Sequence, residues 1–368
     1  MKKIIIIMLY IITSITFIII GFVNLSPQFG SNPPNKDIKS FTELDNFKDG
    51  EFMNLEETEM MTGEMPMSEF FKKDSSRRPQ FNLKPKKINL ESFIGTAKDS
   101  IMKFAWLGHS AFIFNINGKI ILLDPMLGKH AAPLPVPSMK RYSDEIAFSL
   151  DDIITIDAVL ISHDHYDHLD YPTIKKLRSK VKMFYVPLGV GSHLLNWGIK
   201  KENIIEMNWN DERQLGEIDI FCLPARHFSG RGPLNRNSTL WSSWALKSRY
   251  GKIYFSGDSG FGSHLFSIGK QHGPFDLALI DCGQYNKAWR NTHMFPKEAV
   301  QASKALQAKH FMPIHWGAFT LSTHSWTEPI EQALNRSKEM KQKIITPQIG
   351  EVLSINKLEK ENISWWVK

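Results

Sequence analysis

Twelve residues, 160–171, read "LISHDHYDHLDY" and place three histidines and three aspartates directly after an apolar run. A metal site needs such crowding, because neutral imidazole and carboxylate are the usual ligands of zinc and related divalent ions. The apolar run 158–161 predicts a buried strand, and a helix is predicted to begin near Asp170. The turn between them, at a strand end where side chains from several strands converge, carries four ligand candidates: His163, His165, Asp167 and His168.

The same arrangement, an apolar run followed by a ligand-type residue, recurs three more times. "IFCLPARH" ends in His227, "KIYFSGD" ends in Asp258, and "FMPIH" ends in His315. One histidine or aspartate at a strand end is usually structural, but the recurrence together with the cluster is far more specific. The first two histidines of the cluster suit one ion, and the aspartate–histidine pair suits a second ion beside it. The pattern predicts a dinuclear metal site.

The pattern from residue 101 onward predicts an α/β fold. Short apolar, β-branched or aromatic runs bounded by Gly, Asn or Asp, such as "KIILLD", "KMFYV" and "LALIDCG", are typical of strands. Helical patterns are fewer: "YPTIKKLRSK", "PKEAVQASKALQAK", where Pro296 suits the first turn, and "TEPIEQALNRSKEM". We expect sheets packed against outer helices in one hydrolase domain covering 101–368.

The N-terminal segment points to a membrane. Residues 4–23 contain no charge, and about 20 apolar residues suffice for a helix to cross the hydrocarbon core. Lys2 and Lys3 precede the span, so the tip is predicted to be cytoplasmic and the catalytic domain extracytoplasmic, in the cell envelope. A cleaved signal sequence is the alternative, although "GFVNLSPQFG" offers no A-x-A site. We expect residues 1–24 to be a membrane anchor, or a signal sequence of a secreted protein.

Residues 25–100 are predicted to be an irregular linker that wraps the main domain. They are rich in Pro, Ser, Asn and charge, with little expected secondary structure. Between 72 and 87 stand seven basic residues and one acid, against a net charge of +7 for the whole chain. This basic segment is either a solvated linker or a site of attraction to phosphate. Nothing else resembles a nucleic-acid module, so we expect no nucleic-acid partner.

Two cysteines, Cys222 and Cys282, exclude a disulfide-dense scaffold and a cysteine-based zinc finger. We expect two buried free thiols, with one disulfide as the alternative. Neither a G-x-S-x-G elbow nor a Walker loop occurs in the sequence, so the expected hydrolysis uses no protein nucleophile.

The ligand order, H-x-H-x-D-H followed by His, Asp and a final His, resembles the metallo-β-lactamase superfamily. Further motifs resemble most its branch of N-acylphosphatidylethanolamine-hydrolysing phospholipase D: "WLGHSAFIF", "LLDP", "PARHFSGRG", "LWSSWAL", "FSGDSGF" and "MPIHWGAF". They cover roughly residues 100–335, with "FKDGEFMN" in the linker. The sugar-lactonase-like members share the "WLGHS" opening.

The resemblance implies an αββα sandwich, two mixed sheets flanked by helices, with two divalent ions at one edge of the sheets. It assigns to the first ion His163, His165 and His227. It assigns to the second ion Asp167, His168 and His315, with Asp258 bridging the two. His109 and Asp124 fall where groups that orient ligands from behind are found, although a core histidine is the alternative for His109.

The resemblance also assigns residues to catalysis. His293 matches a histidine near the metals that could protonate a leaving alkoxide, with a plain loop histidine as the alternative. Asp167 or Asp258 could shuttle a proton, and Gln284 and Tyr285 could shape the substrate pocket. Four tryptophans are candidates for an acyl pocket or for the core: Trp241, Trp244, Trp289 and Trp316.

These features predict a metal-dependent hydrolase in which a hydroxide bound to two metals attacks phosphorus or a carbonyl carbon. The apolar N-terminus, the basic segment and the resemblance favour a lipid phosphodiester substrate, cleaved in the phospholipase D manner. We expect zinc, with manganese or iron as alternatives, and leave the oligomeric state open. The alternatives are a lactonase or esterase of the same fold, and a non-catalytic envelope protein with a structural metal. Seven ligands argue against the last, since structural zinc usually needs four.

Overall fold

The computed structural model describes residues 2–95, 102–359 and 363–367. An exposed helix α1 (Lys2–Leu25) comes first. The segment after it contains only short elements: α2 (Asn35–Phe41), β1 (Phe47–Lys48), β2 (Glu51–Phe52), α3 (Met67–Phe71) and α4 (Leu90–Ile94). The described part of the segment 25–95 therefore has short elements joined by longer irregular stretches.

Seven strands form the first sheet: β3 (Met102–Trp106), β4 (Phe112–Ile116), β5 (Lys119–Leu123), β6 (Ile156–Leu160), β7 (Val181–Pro187), β8 (Ile204–Met207) and β16 (Val352–Ser354). Their spatial order is β16-β3-β4-β5-β6-β7-β8. The sheet is antiparallel from β16 to β5 and parallel from β5 to β8. Every residue of β6 is buried, as expected for a parallel strand covered on both faces.

Seven strands form the second sheet: β9 (Glu212–Leu215), β10 (Ile218–Leu223), β11 (Ser243–Ser248), β12 (Gly251–Phe255), β13 (Phe275–Asp281), β14 (Ala308–Ile314) and β15 (Lys343–Ile344). Their order is β15-β14-β13-β12-β11-β10-β9, antiparallel from β9 to β12 and parallel from β12 to β15. The carboxyl ends of parallel strands in each sheet meet at one edge, and polar side chains follow several of them.

The two sheets enclose an apolar layer that includes Phe104, Phe114, Phe255 and Met312. The remaining helices are α5 (Tyr171–Leu177), α6 (Gly191–Asn196), α7 (His264–His272), α8 (Pro296–Ala305) and α9 (Glu328–Glu339). Separate apolar clusters bury α5 and α6 against the first sheet and α7 and α8 against the second. The predicted sandwich of two mixed sheets flanked by helices is confirmed.

The starts of helices α5 and α8 and the state of the two cysteines follow the sequence predictions. Asp170 precedes α5 and its carboxylate accepts a hydrogen bond from the Thr173 backbone N–H at 3.0 Å, which caps the helix. Pro296 occupies the first turn of α8. Cys222 and Cys282 are both buried and free, as expected.

The basic segment is partly neutralised by the domain it crosses. Arg77 is buried and donates to the Glu69 carbonyl at 2.9 Å. Lys86 lies 3.3 Å from Glu351, and Lys87 forms an ion pair with Glu145. These contacts favour the interpretation of this stretch as a linker lying on the domain over that of a free cationic surface.

Candidate metal centre

The predicted ligands converge on one edge of the sandwich. The cluster of histidines and aspartates follows β6, His227 follows β10, Asp258 follows β12, and His315 follows β14. These side chains come from both sheets, so their proximity depends on the packing of the sandwich. All seven predicted ligands contribute to two clusters whose candidate ligand atoms lie within 4.8 Å of one another.

The first cluster contains three histidines and one carboxylate. His165 Nδ1 lies 2.9 Å from His163 Nε2 and 3.3 Å from His227 Nε2. Asp258 Oδ2 lies 3.8 Å from the Nε2 atoms of both His163 and His227. Three imidazole nitrogens and a carboxylate oxygen facing a common point suit a tetrahedral divalent ion.

The second cluster lies on the other side of the Asp258 carboxylate. Asp258 Oδ1 is 3.0 Å from His168 Nε2 and 3.1 Å from His315 Nδ1. Asp167 Oδ2 is 3.6 Å from His168 Nε2 and 3.8 Å from His315 Nε2. Asp258 therefore has one oxygen directed at each cluster, the geometry of a bridging ligand.

Two buried atoms show that these residues fit metal ions. His168 Nε2 and Asp258 Oδ1 are buried 3.0 Å apart, and in the described part of the chain neither atom makes a well-directed hydrogen bond, to the other or to a third group. A buried polar atom without a partner is costly, and a cation between these two would satisfy both. The donor set, imidazole with carboxylate, is also the one that zinc, manganese and iron accept.

Most of the imidazoles at the site have lowered pKa values, which suits them to bind a metal ion. Burial lowers the pKa of His163, His227 and His315 well below the ordinary value. Burial also lowers the pKa of His165 to about 4. These rings are neutral at pH 7, and each keeps a lone pair to offer.

Two other ligands hold protons when no metal is bound. Burial lowers the pKa of His168, but the carboxylates of Asp258, Asp167 and Asp124 outweigh burial and raise that pKa well above its ordinary value. Burial raises the pKa of Asp258 to about 7. At pH 7 His168 is thus protonated in the metal-free protein, and Asp258 is protonated in part.

Metal uptake should therefore release protons. Since ligation needs a neutral His168 and an ionised Asp258, we expect about one to two protons released per chain at pH 7. Metal affinity should fall as pH drops from 8 to 6. Calorimetric titration with zinc in buffers of different ionisation enthalpy measures this number. A binding enthalpy that does not depend on the buffer would contradict the assignment.

Asp124 lies behind the predicted ligand His168. It follows β5, is fully buried, and lies 2.6 Å from His168 Nδ1 through Oδ2. Its two oxygens also accept from the Ser162 backbone N–H at 2.6 Å and from the Ser162 hydroxyl. A carboxylate bonded to Nδ1 fixes the ring so that Nε2 faces the site. His227 is fixed similarly, with its Nδ1 3.0 Å from the Thr292 carbonyl.

His109 lies in direct contact with a predicted ligand. Its Nε2 is 2.8 Å from Asp167 Oδ2, and its ring is fully buried. The His109 backbone also pairs with Trp316 beside His315, which links the turn after β3 to the turn after β14. This contact with Asp167 distinguishes His109 from a core histidine bonded to backbone.

His293 reaches the site and has a partner that sequence reasoning missed. His293 Nδ1 lies 2.9 Å from Oδ2 of Asp281, which is fully buried at the end of β13. Burial lowers the pKa of His293, but Asp281 and the nearby Asp258 and Asp167 outweigh burial and raise that pKa above its ordinary value. The signal for Asp281 was present in "LALID", an apolar run that ends in a carboxylate.

A cavity of about 250 Å³ opens over the two clusters. Besides predicted ligands and His293, its lining includes the apolar side chains Met60, Met61, Phe228, Trp289 and Leu321. The guanidinium of Arg236 also lines it, 5.6 Å from the centroid of the Phe228 ring. In the described part of the chain, no ion-pair partner lies within 4.0 Å of the Arg236 guanidinium. Sequence reasoning missed Arg236, because nothing in "PLNRN" marks it.

The two predicted pocket residues differ in position. Gln284 lines the cavity, but its amide donates to the Phe319 carbonyl at 3.0 Å and accepts from the Leu321 N–H at 2.8 Å. The Tyr285 hydroxyl donates to Glu328 at 2.7 Å, and the ring stacks on His324. Both contacts are structural, so their roles in substrate binding stay predictions that the geometry does not favour.

The tryptophan candidates separate into two groups. Trp241, Trp244 and Trp316 are buried in the core, which was the alternative to an acyl pocket. Trp289 lines the cavity and stacks on Phe70 at 6.1 Å between ring centroids.

The linker completes the site. Asn54 brackets the His227 peptide, with its amide N–H donating to the His227 carbonyl at 2.8 Å and its Oδ1 accepting from the His227 N–H at 3.1 Å. Met60 and Met61, six and seven residues further on, reach the cavity. The wrapping segment is thus part of the site wall.

The chain is similar to several known proteins. Residues 119–316 match the model of the Beta-lactamase superfamily domain. An N-acyl-phosphatidylethanolamine-hydrolyzing phospholipase D of Caenorhabditis elegans is 34% identical over 265 residues, which are 67% of this chain and 74% of that protein. Outer membrane protein RomA of Klebsiella pneumoniae is 48% identical over 101 residues, 27% of this chain and 76% of RomA. Igni18, a metallo hydrolase of the archaeon Ignicoccus hospitalis, aligns with a TM-score of 0.52 at 22% identity, covering 69% of this chain and 97% of that structure.

Proposed function

Since this chain belongs to the beta-lactamase superfamily and is a metal-dependent hydrolase, we propose that it cleaves N-acylphosphatidylethanolamine-like lipids in the phospholipase D manner. The products would be phosphatidic acid and an N-acyl amino alcohol. The cavity carries the proposal. It is lined by residues of both metal clusters, by apolar side chains and by the Arg236 guanidinium, which has no ion-pair partner among the described residues. The nematode relative, an N-acyl-phosphatidylethanolamine-hydrolyzing phospholipase D, supports the same substrate class.

The two clusters would hold two divalent ions, for which we expect zinc, with manganese or iron as alternatives. The first ion would be held by His163, His165 and His227, and the second by Asp167, His168 and His315, with Asp258 shared. When bound, such a pair supplies Lewis acidity and lowers the pKa of a coordinated water.

The carboxylates and His293 accept and donate the protons of the reaction. Water adds its oxygen to phosphorus, and the bond from phosphorus to the oxygen of the N-acyl amino alcohol breaks. Asp167 or Asp258 takes the proton of the attacking water, and His293 gives a proton to the leaving oxygen. His293 suits this role, since Asp281 holds its Nδ1 and favours its protonated form near neutral pH.

Arg236 would bind the phosphate. A guanidinium presents two parallel N–H groups to a phosphate. No acidic side chain of the described residues forms an ion pair with Arg236, so its guanidinium is available. The guanidinium lies over the ring of Phe228, and Phe228 directly follows the predicted ligand His227. The apolar lining of the cavity then suits the carbon atoms that flank the phosphodiester.

Replacing Arg236 should weaken substrate binding more than chemistry. We expect Arg236→Gln to raise KM for an anionic phosphodiester roughly tenfold, about one charge-assisted hydrogen bond, while kcat changes less. Steady-state kinetics on the full-length protein measure this. The control is Arg213→Gln, an exposed arginine on edge strand β9. Equal KM values for both variants would contradict the role of Arg236.

The substrate class is tested by turnover. The full-length, fully metallated protein is assayed with N-acylphosphatidylethanolamine, a soluble aryl phosphodiester and a lactone. His163→Ala is the active-site variant, and His272→Ala, a histidine at the end of α7, is the matched control. We expect lipid turnover that only His163→Ala abolishes. Lactone turnover without phosphodiester turnover would replace the proposal by the lactonase alternative.

We also propose that α1 anchors the protein in a membrane of the cell envelope. Residues 3–25 form one helix, and none of its most apolar 18-residue window is buried against the protein. The similarity to outer membrane protein RomA of Klebsiella supports an envelope location. Membrane fractionation that finds the protein soluble and shortened at its N-terminus would favour the signal-sequence alternative.

A further inference from the structure

One apolar side chain outside the N-terminal helix is almost fully exposed. Leu234, in the loop 230–237 between β10 and β11, is 95% exposed, the highest value among the large apolar side chains of the described chain. A leucine at this exposure has no packing partner in the domain, and the hydrophobic effect favours its removal from water.

The loop faces the end of α1 across a cleft. A cleft of about 660 Å³ is lined on one side by Val23, Asn24 and Leu25, and on the other by residues 232–235. Asn235 donates to the Asn32 side-chain oxygen at 2.9 Å, which ties the loop to the chain leaving the helix. Leu234 therefore lies close to the level at which α1 would leave a bilayer.

Direct hydrogen bonds fix the helix end to the domain. The Arg231 Nε and Nη2 groups donate to the Gln28 carbonyl at 2.9 and 2.6 Å, and Trp197 Nε1 donates to the Pro27 carbonyl at 2.7 Å. The Ser31 N–H donates to His193 Nδ1 at 3.0 Å. Gly30, at a φ of +69°, admits no side chain, since a Cβ would lie 2.2 Å from His193 Nδ1. Residues 27–31 are thus a docked segment.

The loop itself is held in shape. The Gly232 N–H donates to Asn235 Oδ1 at 2.7 Å, and the Asn237 N–H donates to the Ser229 carbonyl at 3.1 Å. Leu234 lies within the turn that both hydrogen bonds close. Two residues later comes Arg236, which lines the cavity over the metal clusters.

From these observations we propose that the loop 230–236 is a membrane-contact element that enters the lipid surface beside α1, with Leu234 among the upper acyl chains. The occupant is a phospholipid bilayer, because the loop shares a cleft with the end of an apolar helix that is long enough to span one. This inference rests on the anchor part of the proposed function and not on the reaction. It places the loop that carries Arg236 next to the lipids.

Site-directed labelling tests this contact in the full-length protein. Both native cysteines are fully buried, so a thiol label reports an introduced cysteine. Leu234→Cys is labelled with bimane and reconstituted into phosphatidylcholine–phosphatidylglycerol vesicles that carry a nitroxide on carbon 5 of the acyl chain. Ile12→Cys, in α1, reports the anchor. Ile154→Cys is the matched control, since it is 84% exposed and lies before β6, at the opposite end of the strand from the metal loop.

We expect the nitroxide to quench the label at Leu234 roughly threefold or more above the label at Ile154, with a blue-shifted emission. Quenching at Ile12 but only Ile154-like quenching at Leu234 would overturn the contact and leave the anchor intact. No quenching at Ile12 would overturn the anchor and the contact together. Neither result depends on turnover, so a failure of the phosphodiesterase proposal would be seen separately.

Discussion

Asp258→Asn is expected to abolish hydrolysis while leaving the protein folded. The two Asp258 oxygens each face one cluster, with Oδ1 3.0 Å from His168 Nε2 and Oδ2 3.8 Å from His163 Nε2. Asparagine keeps the volume but loses the charge and one acceptor. We expect kcat to fall about 10³-fold, since metal ions supply several kcal/mol of charge stabilisation in the transition state.

The same variant should lose metal. We expect elemental analysis to find about one ion or fewer per chain, against two in the parent protein. Circular dichroism checks that the fold is kept, and Asp219→Ala, which removes a surface partner of Lys247, is the control. Two bound ions together with a parent-like kcat in Asp258→Asn would contradict the bridging assignment.

Asp124→Ala is expected to weaken both metal binding and stability, although Asp124 contacts no metal directly in this account. Its carboxylate accepts from the Ser162 backbone and lies 2.6 Å from His168 Nδ1. Loss of a carboxylate behind a histidine ligand typically costs 10- to 100-fold in metal affinity, and we expect a loss in that range. Its removal also takes one of three nearby carboxylates away from the buried His168 imidazolium in the metal-free protein, which should lower the free energy of unfolding by about 3 kcal/mol.

The backbone at Asp124 adds a second reason. Its φ of +37° lies in the left-handed region, which aspartate and asparagine tolerate better than alanine. Asp124→Asn should therefore recover part of the stability but little of the metal affinity. Chelator competition and urea unfolding with and without metal separate the two effects. An Asp124→Ala protein with parent-like metal affinity would show that the carboxylate does not orient His168.

The sequence could predict those features that a local pattern encodes. The crowded turn after β6 was recognisable because ligand types follow a buried apolar run, and the same rule found His227, Asp258 and His315. Applied consistently, the rule would also have found Asp281, which ends β13 in the same way. Asp281 is therefore predictable from the same local pattern.

Other features depend on contacts between distant parts of the chain. Asn54 meets His227 across 173 residues, and Arg231 meets the Gln28 carbonyl across 203 residues. No local periodicity encodes such pairs, because loops from different elements create them only after the two sheets have packed. The site wall formed by the linker and the position of Arg236 belong to this class.

The fate of the oxygen atom from water tests the central claim most directly. The full-length, metallated protein is incubated with N-acylphosphatidylethanolamine in water enriched in oxygen-18, and both products are analysed by mass spectrometry. Attack on phosphorus predicts one heavy oxygen in the phosphate of phosphatidic acid and none in the N-acyl amino alcohol. Heavy oxygen in a free fatty acid instead would show attack on a carbonyl carbon, and would replace the phosphodiesterase by an esterase of the same fold.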